Sequence, residues 1–75
     1  MFPISPRVTC VRAAPGVYRL YYQIRWVGYA VTIDNGALDV SHPFTESSRV
    51  FGSLRDAARW LESIEDAGAS HLAAA

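Results

Sequence analysis

The pattern that most limits the fold of this chain is an alternation over the ten residues from Val17 to Trp26. Every second position carries a large apolar side chain: Tyr18, Leu20, Tyr22, Ile24 and Trp26. The positions between them include Arg19, Tyr21, Gln23 and Arg25. Because successive side chains of a strand point to opposite faces, the alternation predicts a strand with one buried and one exposed face. We therefore expect a sheet that is covered on one side.

Two dipeptides predict hairpin turns in and after this region. Asn35-Gly36 is typical of a type I′ turn, in which both central residues need positive φ. Val27-Gly28 is a second two-residue loop, although β-branched Val27 resists positive φ and favours a longer, bulged turn as the alternative. The resulting pairs are Trp26 with Tyr29, Ile24 with Val31, Tyr22 with Ile33, Ile33 with Leu38, and Val31 with Val40. Apolar residues meet on a single face in this register, and that agreement supports it.

A C-terminal helix is predicted from Ser53 onward. Ser53 can cap its N-terminus, and Asp56 three residues later completes a capping pattern. Gly68 is a natural stop signal. The apolar stripe that would pack on the sheet consists of Leu54, Ala57, Ala58, Leu61 and Ile64.

Together these elements predict an α+β fold, an antiparallel β-meander of three to five strands with one C-terminal α-helix packed on one face. A first strand is expected at residues 7–12 after an extended lead-in over residues 1–6, and His42 is expected in a loop. Residues 69–75 are expected to form a frayed tail. The 75 residues are enough for a single domain, residues 1–75, with a net stability of only about 3–5 kcal/mol.

Several classes of protein are disfavoured by composition. Cys10 is the only cysteine, which excludes a disulfide within the chain and fits a reducing compartment. Neither Cys10 nor the two histidines show the spacing of metal ligands, and no catalytic motif is present, so we expect no metal, no cofactor and no enzyme activity. No signal peptide or membrane span is expected either. The sequence thus predicts a cytoplasmic protein that gains stability from a good core or from a homodimer.

The charged residues are sorted along the chain. Residues 1–33 contain four arginines and no acidic residue, whereas residues 34–75 contain three arginines and seven acidic residues. Such asymmetry indicates an electrostatic partner.

The outer face of the predicted strand is the first candidate binding surface. It would present Arg19, Tyr21, Gln23 and Arg25, with the small Ala30 and Thr32 opposite. Arginine and glutamine can contact phosphates and bases, and tyrosine can stack on bases. Arginine and tyrosine are also typical of protein-interface hot spots. Three interpretations stay open here: an ordinary solvated face, a nucleic-acid surface and a protein-binding surface.

The acidic end of the helix is the second candidate. Glu62, Glu65 and Asp66 could form a negative patch that mimics nucleic acid and binds a basic groove. The alternative is simple solvation of an exposed helix face. Glu65 and Asp66 lie near the C-terminus of the helix, where acidic residues interact unfavourably with the helix dipole. This cost favours a functional role for them.

The segment from Ser48 to Arg59 resembles the strand-to-helix junction of the plant ethylene-response DNA-binding domain and of the arm-binding domains of phage integrases. Those families place a three-stranded sheet in the major groove with a helix behind it. The resemblance implies DNA contacts by Arg19, Gln23 and Arg25. The chain departs from those families in being neutral overall.

As a whole, the chain resembles the small motif-free proteins of bacteriophages and mobile elements, among them the anti-CRISPR proteins. That resemblance implies a non-catalytic inhibitor that covers a surface of a Cas complex in the cytoplasm of a bacterial host. We therefore expect a binding protein that blocks a nucleic-acid-handling complex by stoichiometric occlusion. The alternatives are a sheet-face DNA-binding module and a small dimeric structural protein.

Overall fold

The computed structural model describes residues 2–68. They form an antiparallel sheet of six strands in sequence order, followed by one helix, α1, which packs on one face of the sheet. The predicted α+β meander with a C-terminal helix is confirmed, with six strands rather than three to five. The elements are β1 (Phe2–Pro3), β2 (Val8–Ala14), β3 (Val17–Tyr22), β4 (Arg25–Thr32), β5 (Leu38–His42), β6 (Ser47–Phe51) and α1 (Leu54–Asp66).

Strand β1 explains part of the higher strand number. In the lead-in that was predicted to be extended, Phe2 and Pro3 pair with Cys10 and Thr9 of β2, and residues 4–7 form bends. The predicted frayed tail, residues 69–75, lies outside the described residues. None of the helical segments within residues 2–68 has the length and apolarity needed to cross a membrane.

The predicted register of β3 and β4 is wrong. The hairpin turns at Gln23 and Ile24, so that Tyr22 pairs with Arg25. Gln23 takes the positive φ, at 57°. Gly28 lies inside β4 instead, where a Cβ atom would stand 2.0 Å from the carbonyl oxygen of Ser41. The glycine is thus required for the close approach of β5, not for a turn.

A β-bulge at Val27 then changes the face of the residues of β4 that follow it. Leu20 pairs with Gly28 and Tyr21 with Trp26, which leaves Val27 as an extra residue. The alternation is interrupted at this point, since two residues of β4 oppose one position of β3. Val27 and Ala30 are fully buried, although Ala30 was predicted on the outer face.

The second hairpin forms at Asn35-Gly36 but with a longer loop than predicted. Both residues have positive φ, 68° and 75°. The loop contains three residues, because the Ile33 N–H donates to the Ala37 carbonyl at 2.8 Å. The register is therefore one residue away from the prediction: Val31 pairs with Asp39, not with Val40.

The core lies between the sheet and the helix. Ser53 caps α1 as predicted, accepting from the Asp56 N–H at 3.1 Å. Cys10 is fully buried, and burial raises the pKa of its thiol. Three residues of the predicted helix stripe, Ala57, Ala58 and Leu61, are completely buried. Their sheet partners in the buried cluster are Val8, Cys10, Leu20, Val27, Ala30, Leu38 and Val40.

Candidate functional site

The face of the sheet opposite the helix, called the outer face below, is mostly uncharged. Within residues 2–68, α1 packs with the inner face and no element covers the outer one. Cross-strand pairing assigns twelve side chains of β2 to β6 to it: Thr9, Val11, Val17, Arg19, Tyr21, Trp26, Tyr29, Val31, Asp39, Ser41, Ser48 and Val50. Arg19 and Asp39 are the two charged members of this set. An uncovered face that carries several aromatic and aliphatic side chains on a small domain is typical of an interaction site.

Aromatic side chains concentrate at the centre of the outer face. The ring centroids of Trp26 and Tyr29 lie 5.2 Å apart, and those of Trp26 and Phe44 lie 6.1 Å apart, both in edge-to-face geometry. Arg19, Tyr21, Trp26 and Tyr29 line a shallow depression of about 170 Å³. We call Tyr21, Trp26, Tyr29 and Phe44 the aromatic cluster, and Arg19 adjoins it. Tyr29 and Phe44 remain 39% and 38% exposed.

A second hollow lies beside this cluster, toward the turn of the β3–β4 hairpin. It has a volume of about 330 Å³ and is lined by Thr9, Val11, Tyr21, Gln23 and Ile24. Ile24 is 97% exposed at the tip of the hairpin.

The predicted surface of Arg19, Tyr21, Gln23 and Arg25 is only partly assembled. Arg19 and Tyr21 lie on the outer face, and Gln23 lies in the turn. Arg25 lies on the inner face, because it pairs with Tyr22 after the turn, and its Nη2 donates to Glu65 Oε1 at 2.5 Å. Sequence reasoning missed Trp26 and Tyr29, which take the place of Arg25 on the outer face. The turn at Gln23 and Ile24 brings Trp26 to the outer face, and the bulge at Val27 does the same for Tyr29. Gly28 inside a strand pattern was the sequence signal for that bulge.

A buried polar network joins β4, β5 and α1 on the inner face. His42 Nε2 lies 2.8 Å from Glu65 Oε2, and His42 Nδ1 lies 3.0 Å from Thr45 Oγ1. The side chains of His42 and Glu65 are both fully buried. His42 ends strand β5 rather than lying in a loop as predicted. The alternation Leu38, Val40, His42, which is buried throughout, was the available sequence signal.

This network places a hydroxyl, an imidazole and a carboxylate in series, as in nucleophilic catalysis. The imidazole is closed off from solvent, and the Thr45 hydroxyl also donates to the His42 carbonyl at 3.3 Å. The contacts of Thr45 with His42 and of His42 with Glu65 connect the β5–β6 turn to the helix. Within residues 2–68, no group of three or more His, Cys, Asp or Glu side chains is placed to hold a metal ion.

The acidic end of the helix makes intramolecular contacts. Glu62 accepts hydrogen bonds from the Ser5 hydroxyl at 2.6 Å and from the Arg7 N–H at 3.2 Å. The Arg7 guanidinium donates to both oxygens of Asp66 at 2.6 and 2.9 Å. Since Glu65 is buried, the three acids predicted as a docking patch have partners within the fold.

These contacts also explain much of the charge asymmetry. Arg7 and Arg25 belong to the basic half of the sequence, and Asp66 and Glu65 belong to the acidic half. The two halves therefore attract each other inside one molecule, where the C-terminal helix meets the N-terminal strands. Two of the four N-terminal arginines have this intramolecular role.

Comparison with known proteins supplies no further constraint on the site. No protein-family model, curated protein or solved structure matches this chain.

Proposed function

We propose that this chain is a non-catalytic binding protein that docks through its outer face onto a protein partner and acts by occluding the surface it covers. The observation that carries the proposal is the aromatic cluster with Arg19 on an uncovered sheet face. Tryptophan, tyrosine and arginine are the residues most enriched in interface hot spots.

The geometry of the cluster supports a protein partner. Trp26 packs against both Tyr29 and Phe44, so its ring is held in place before any partner arrives. A rigid aromatic surface loses little conformational entropy on binding. The depression beside Arg19 gives room for a side chain of the partner, and the guanidinium can pair with an acid at its rim.

The resemblance to anti-CRISPR proteins gives the partner class within this proposal. The partner would be a Cas complex or another nucleic-acid-handling complex in the cytoplasm of a bacterial host, and the chain would derive from a phage or mobile element. Inhibition would be stoichiometric, with one copy of the chain covering one functional surface.

Direct DNA binding by the sheet is the alternative, and the placement of charges does not favour it. The integrase-like interpretation needs Arg19, Gln23 and Arg25 together on one face. Arg25 instead pairs with Glu65 on the inner face, and Asp39 shares the outer face with Arg19. DNA binding depends on several phosphate contacts by cations.

The test is a pull-down with the tagged chain from a nuclease-treated lysate of CRISPR-carrying bacteria at moderate salt, repeated with variants. Tyr29→Ala and Arg19→Ala should each weaken retention of a stoichiometric partner at least about tenfold. Phe2→Ala is the matched control, because Phe2 is an aromatic of similar exposure, 42%, outside the outer face.

Two results would contradict the proposal. One is equal retention of the partner by the outer-face variants and the Phe2 control. The other is a bait that retains only DNA, and only when nuclease is omitted, which would assign the chain to the DNA-binding module.

A further inference from the structure

One stripe of α1 carries four charged side chains at helical spacing: Arg55, Arg59, Glu62 and Asp66. The two acids at the C-terminal end of the stripe have partners ahead of β2, since Glu62 accepts from the Ser5 hydroxyl and Asp66 pairs with Arg7. The two arginines at the N-terminal end differ from them. Within residues 2–68, neither arginine has an ion-pair partner. Half of the stripe is therefore neutralised by the fold, and half is not.

A hollow of about 310 Å³ lies at the half that is not neutralised. Residues 4–6 form one part of its wall, and Arg55, Arg59 and Glu62 form the rest. Residues 1–33 contain no acidic residue, so the segment that meets the arginines cannot supply a carboxylate. The hollow thus combines two cations with a neighbouring segment that offers them no counter-charge.

The local electrostatics of α1 add to this excess of positive charge. Arg55 is the second residue of the helix, where a cation interacts unfavourably with the helix dipole. Arg59 lies one turn further on, and like charges four residues apart repel each other. An anion in the hollow would relieve both unfavourable interactions.

The wall formed by residues 4–6 is held in place by hydrogen bonds. The Ile4 and Ser5 N–H groups donate to the Val8 carbonyl at 2.9 and 3.3 Å, and the Ser5 hydroxyl accepts from the Val8 N–H at 3.0 Å. The same hydroxyl donates to Glu62 Oε2 at 2.6 Å, which ties this segment to the helix. The hollow is therefore formed before a ligand arrives, which lowers the entropic cost of binding.

The side chains of the lining define the class of ligand. Two guanidiniums and the carboxylate of Glu62 leave one net positive charge, which matches a monoanion. The planar fork of an arginine pairs with the two oxygens of a carboxylate. Ile4 and Pro6 place an apolar surface beside these charges. The volume is at the lower end of the roughly 300–1,000 Å³ typical of ligand pockets, which fits a small group.

We propose that this hollow binds a carboxylate that carries a short apolar group. Its oxygens pair with Arg55 and Arg59, and its apolar group packs against Ile4 and Pro6. Such a carboxylate belongs either to a small free acid or to the last residue of a peptide. The inference is independent of the proposed function, because α1 packs on the inner face of the sheet and the aromatic cluster lies on the outer face.

The experiment is a ligand titration of the full chain, followed by two-dimensional NMR of its amide and guanidinium N–H groups. Hexanoate represents the free acid, and N-acetylleucine represents the end of a peptide. The tighter of the two should saturate the site with a Kd of about 1 mM, as expected of a ligand this small, and it identifies the source of the carboxylate. Acetate, inorganic phosphate and hexylammonium each lack the apolar group or the carboxylate, and should bind at least about tenfold more weakly.

Three variants that each remove one positive charge locate the site. Arg55→Gln and Arg59→Gln should each raise the Kd at least about threefold, because each removes one charge-assisted contact at an exposed position. Arg12→Gln is the matched control, since Arg12 is also exposed but does not line the hollow, and its Kd should be unchanged. All three substitutions replace exposed side chains, so the thermal midpoint should stay that of the unmodified chain.

Three results would overturn the inference. The first is a lack of saturable binding of both acids up to about 50 mM. The second is acetate, phosphate or hexylammonium binding as tightly as the better acid. The third is a Kd that Arg55→Gln and Arg59→Gln leave unchanged, or that Arg12→Gln raises by the same factor.

Discussion

The inner and outer faces of the sheet come from the same strands but differ in how their side chains are used. On the inner face, aliphatic residues pack under α1, and even polar side chains are enclosed: those of His42 and Glu65 are fully buried and contact each other. On the outer face, the Trp26 ring contacts those of Tyr29 and Phe44, and Tyr21 and Arg19 lie beside them. The comparison teaches that the inner face is closed by the core, whereas the outer face keeps Tyr29 and Phe44 more than one-third exposed.

The acidic residues Glu65 and Asp66 also differ in burial, since Glu65 is buried and Asp66 is exposed. Glu65 is fully buried and contacts both Arg25 and His42, so water cannot replace it at the buried imidazole, although Arg25 itself is 41% exposed. The ion pair of Arg7 and Asp66 is more than two-fifths exposed at both side chains, so water can replace either partner. Substitutions on the inner face should therefore reduce the unfolding free energy more than those on the outer face. Likewise, substitution of Glu65 should reduce it more than substitution of Asp66.

The largest effect is expected from Glu65→Ala. It removes the acceptor that Arg25 and His42 share. Leaving the fully buried His42 ring without this partner costs about 1–3 kcal/mol of unfolding free energy, and loss of the hydrogen bond from Arg25, which is 41% exposed, adds up to about 1 kcal/mol. Because a domain of this size has only about 3–5 kcal/mol of stability in total, the variant should lose most of it. Urea unfolding followed by circular dichroism measures the change.

Asp66→Ala is the control on the same helix, and its urea midpoint should shift much less. Equal shifts for the two variants would show that the buried network contributes no more than the exposed ion pair, and would remove the contrast between them.

Gly28→Ala should also destabilise the fold strongly. A Cβ atom at 2.0 Å from the Ser41 carbonyl oxygen cannot be accommodated without moving β4 away from β5, at a cost of about 2–3 kcal/mol. Gly52→Ala is the matched control, since no atom lies within 4 Å of its Cβ position. Thermal unfolding of both variants measures the effect, and a Gly28→Ala protein as stable as the control would place the strand register in doubt.

The outer face should be tolerant by comparison. Tyr29→Ala removes an exposed ring and one edge-to-face contact, which should cost about 1 kcal/mol of unfolding free energy. Leu20→Ala, on the inner face of the neighbouring strand, should cost about 2–5 kcal/mol. Comparing their denaturant midpoints sharpens the contrast between the faces, and the reverse order would refute it.

The smallest effect is a pH dependence at the edge of the inner face. The Tyr22 hydroxyl donates to Asp66, and this hydrogen bond raises the pKa of the phenol above its usual value. A group whose pKa is higher in the folded state contributes stability below its unfolded pKa and loses it as pH rises through the folded pKa. This contribution should therefore be complete at neutral pH and disappear in the alkaline range.

Absorbance at alkaline pH tests this directly. The Tyr22 titration, identified by its loss in Tyr22→Phe, should move to lower pH in Asp66→Asn, because the amide is a weaker acceptor than the carboxylate. An unchanged titration in Asp66→Asn would mean that Asp66 is not the cause of the shift.

The sequence predicts the part of the candidate site on β3 but not the part on β4. Arg19 and Tyr21 precede the bulge, so simple alternation places them correctly on the outer face. Beyond the turn, the same alternation assigned Arg25 outward and Trp26 inward, and both assignments are reversed. Periodicity does not show that the chain turns at Gln23 and Ile24, which reverses Arg25 and Trp26, nor that Val27 is an extra residue, which reverses the residues from Gly28 onward.

The acidic residues show a second limit. Glu62, Glu65 and Asp66 look like an exposed patch along the sequence, because their partners are far away in the chain. Ser5 lies 57 residues from Glu62, and Arg7 lies 59 residues from Asp66. Only the packing of α1 on the sheet, next to residues 5–7 ahead of β2, brings these groups together.

The sequence by itself determined what depends on neighbouring residues: a one-sided sheet, a hairpin at Asn35-Gly36, and a helix capped by Ser53 with its apolar stripe toward the core. The tertiary structure decided the strand register, the face of Arg25 and Trp26, and the burial of Glu65 beside His42. The physical reason is the range of the interactions. Caps and turns are fixed within about four residues, whereas register and ion pairing depend on contacts between distant strands that local pattern does not encode.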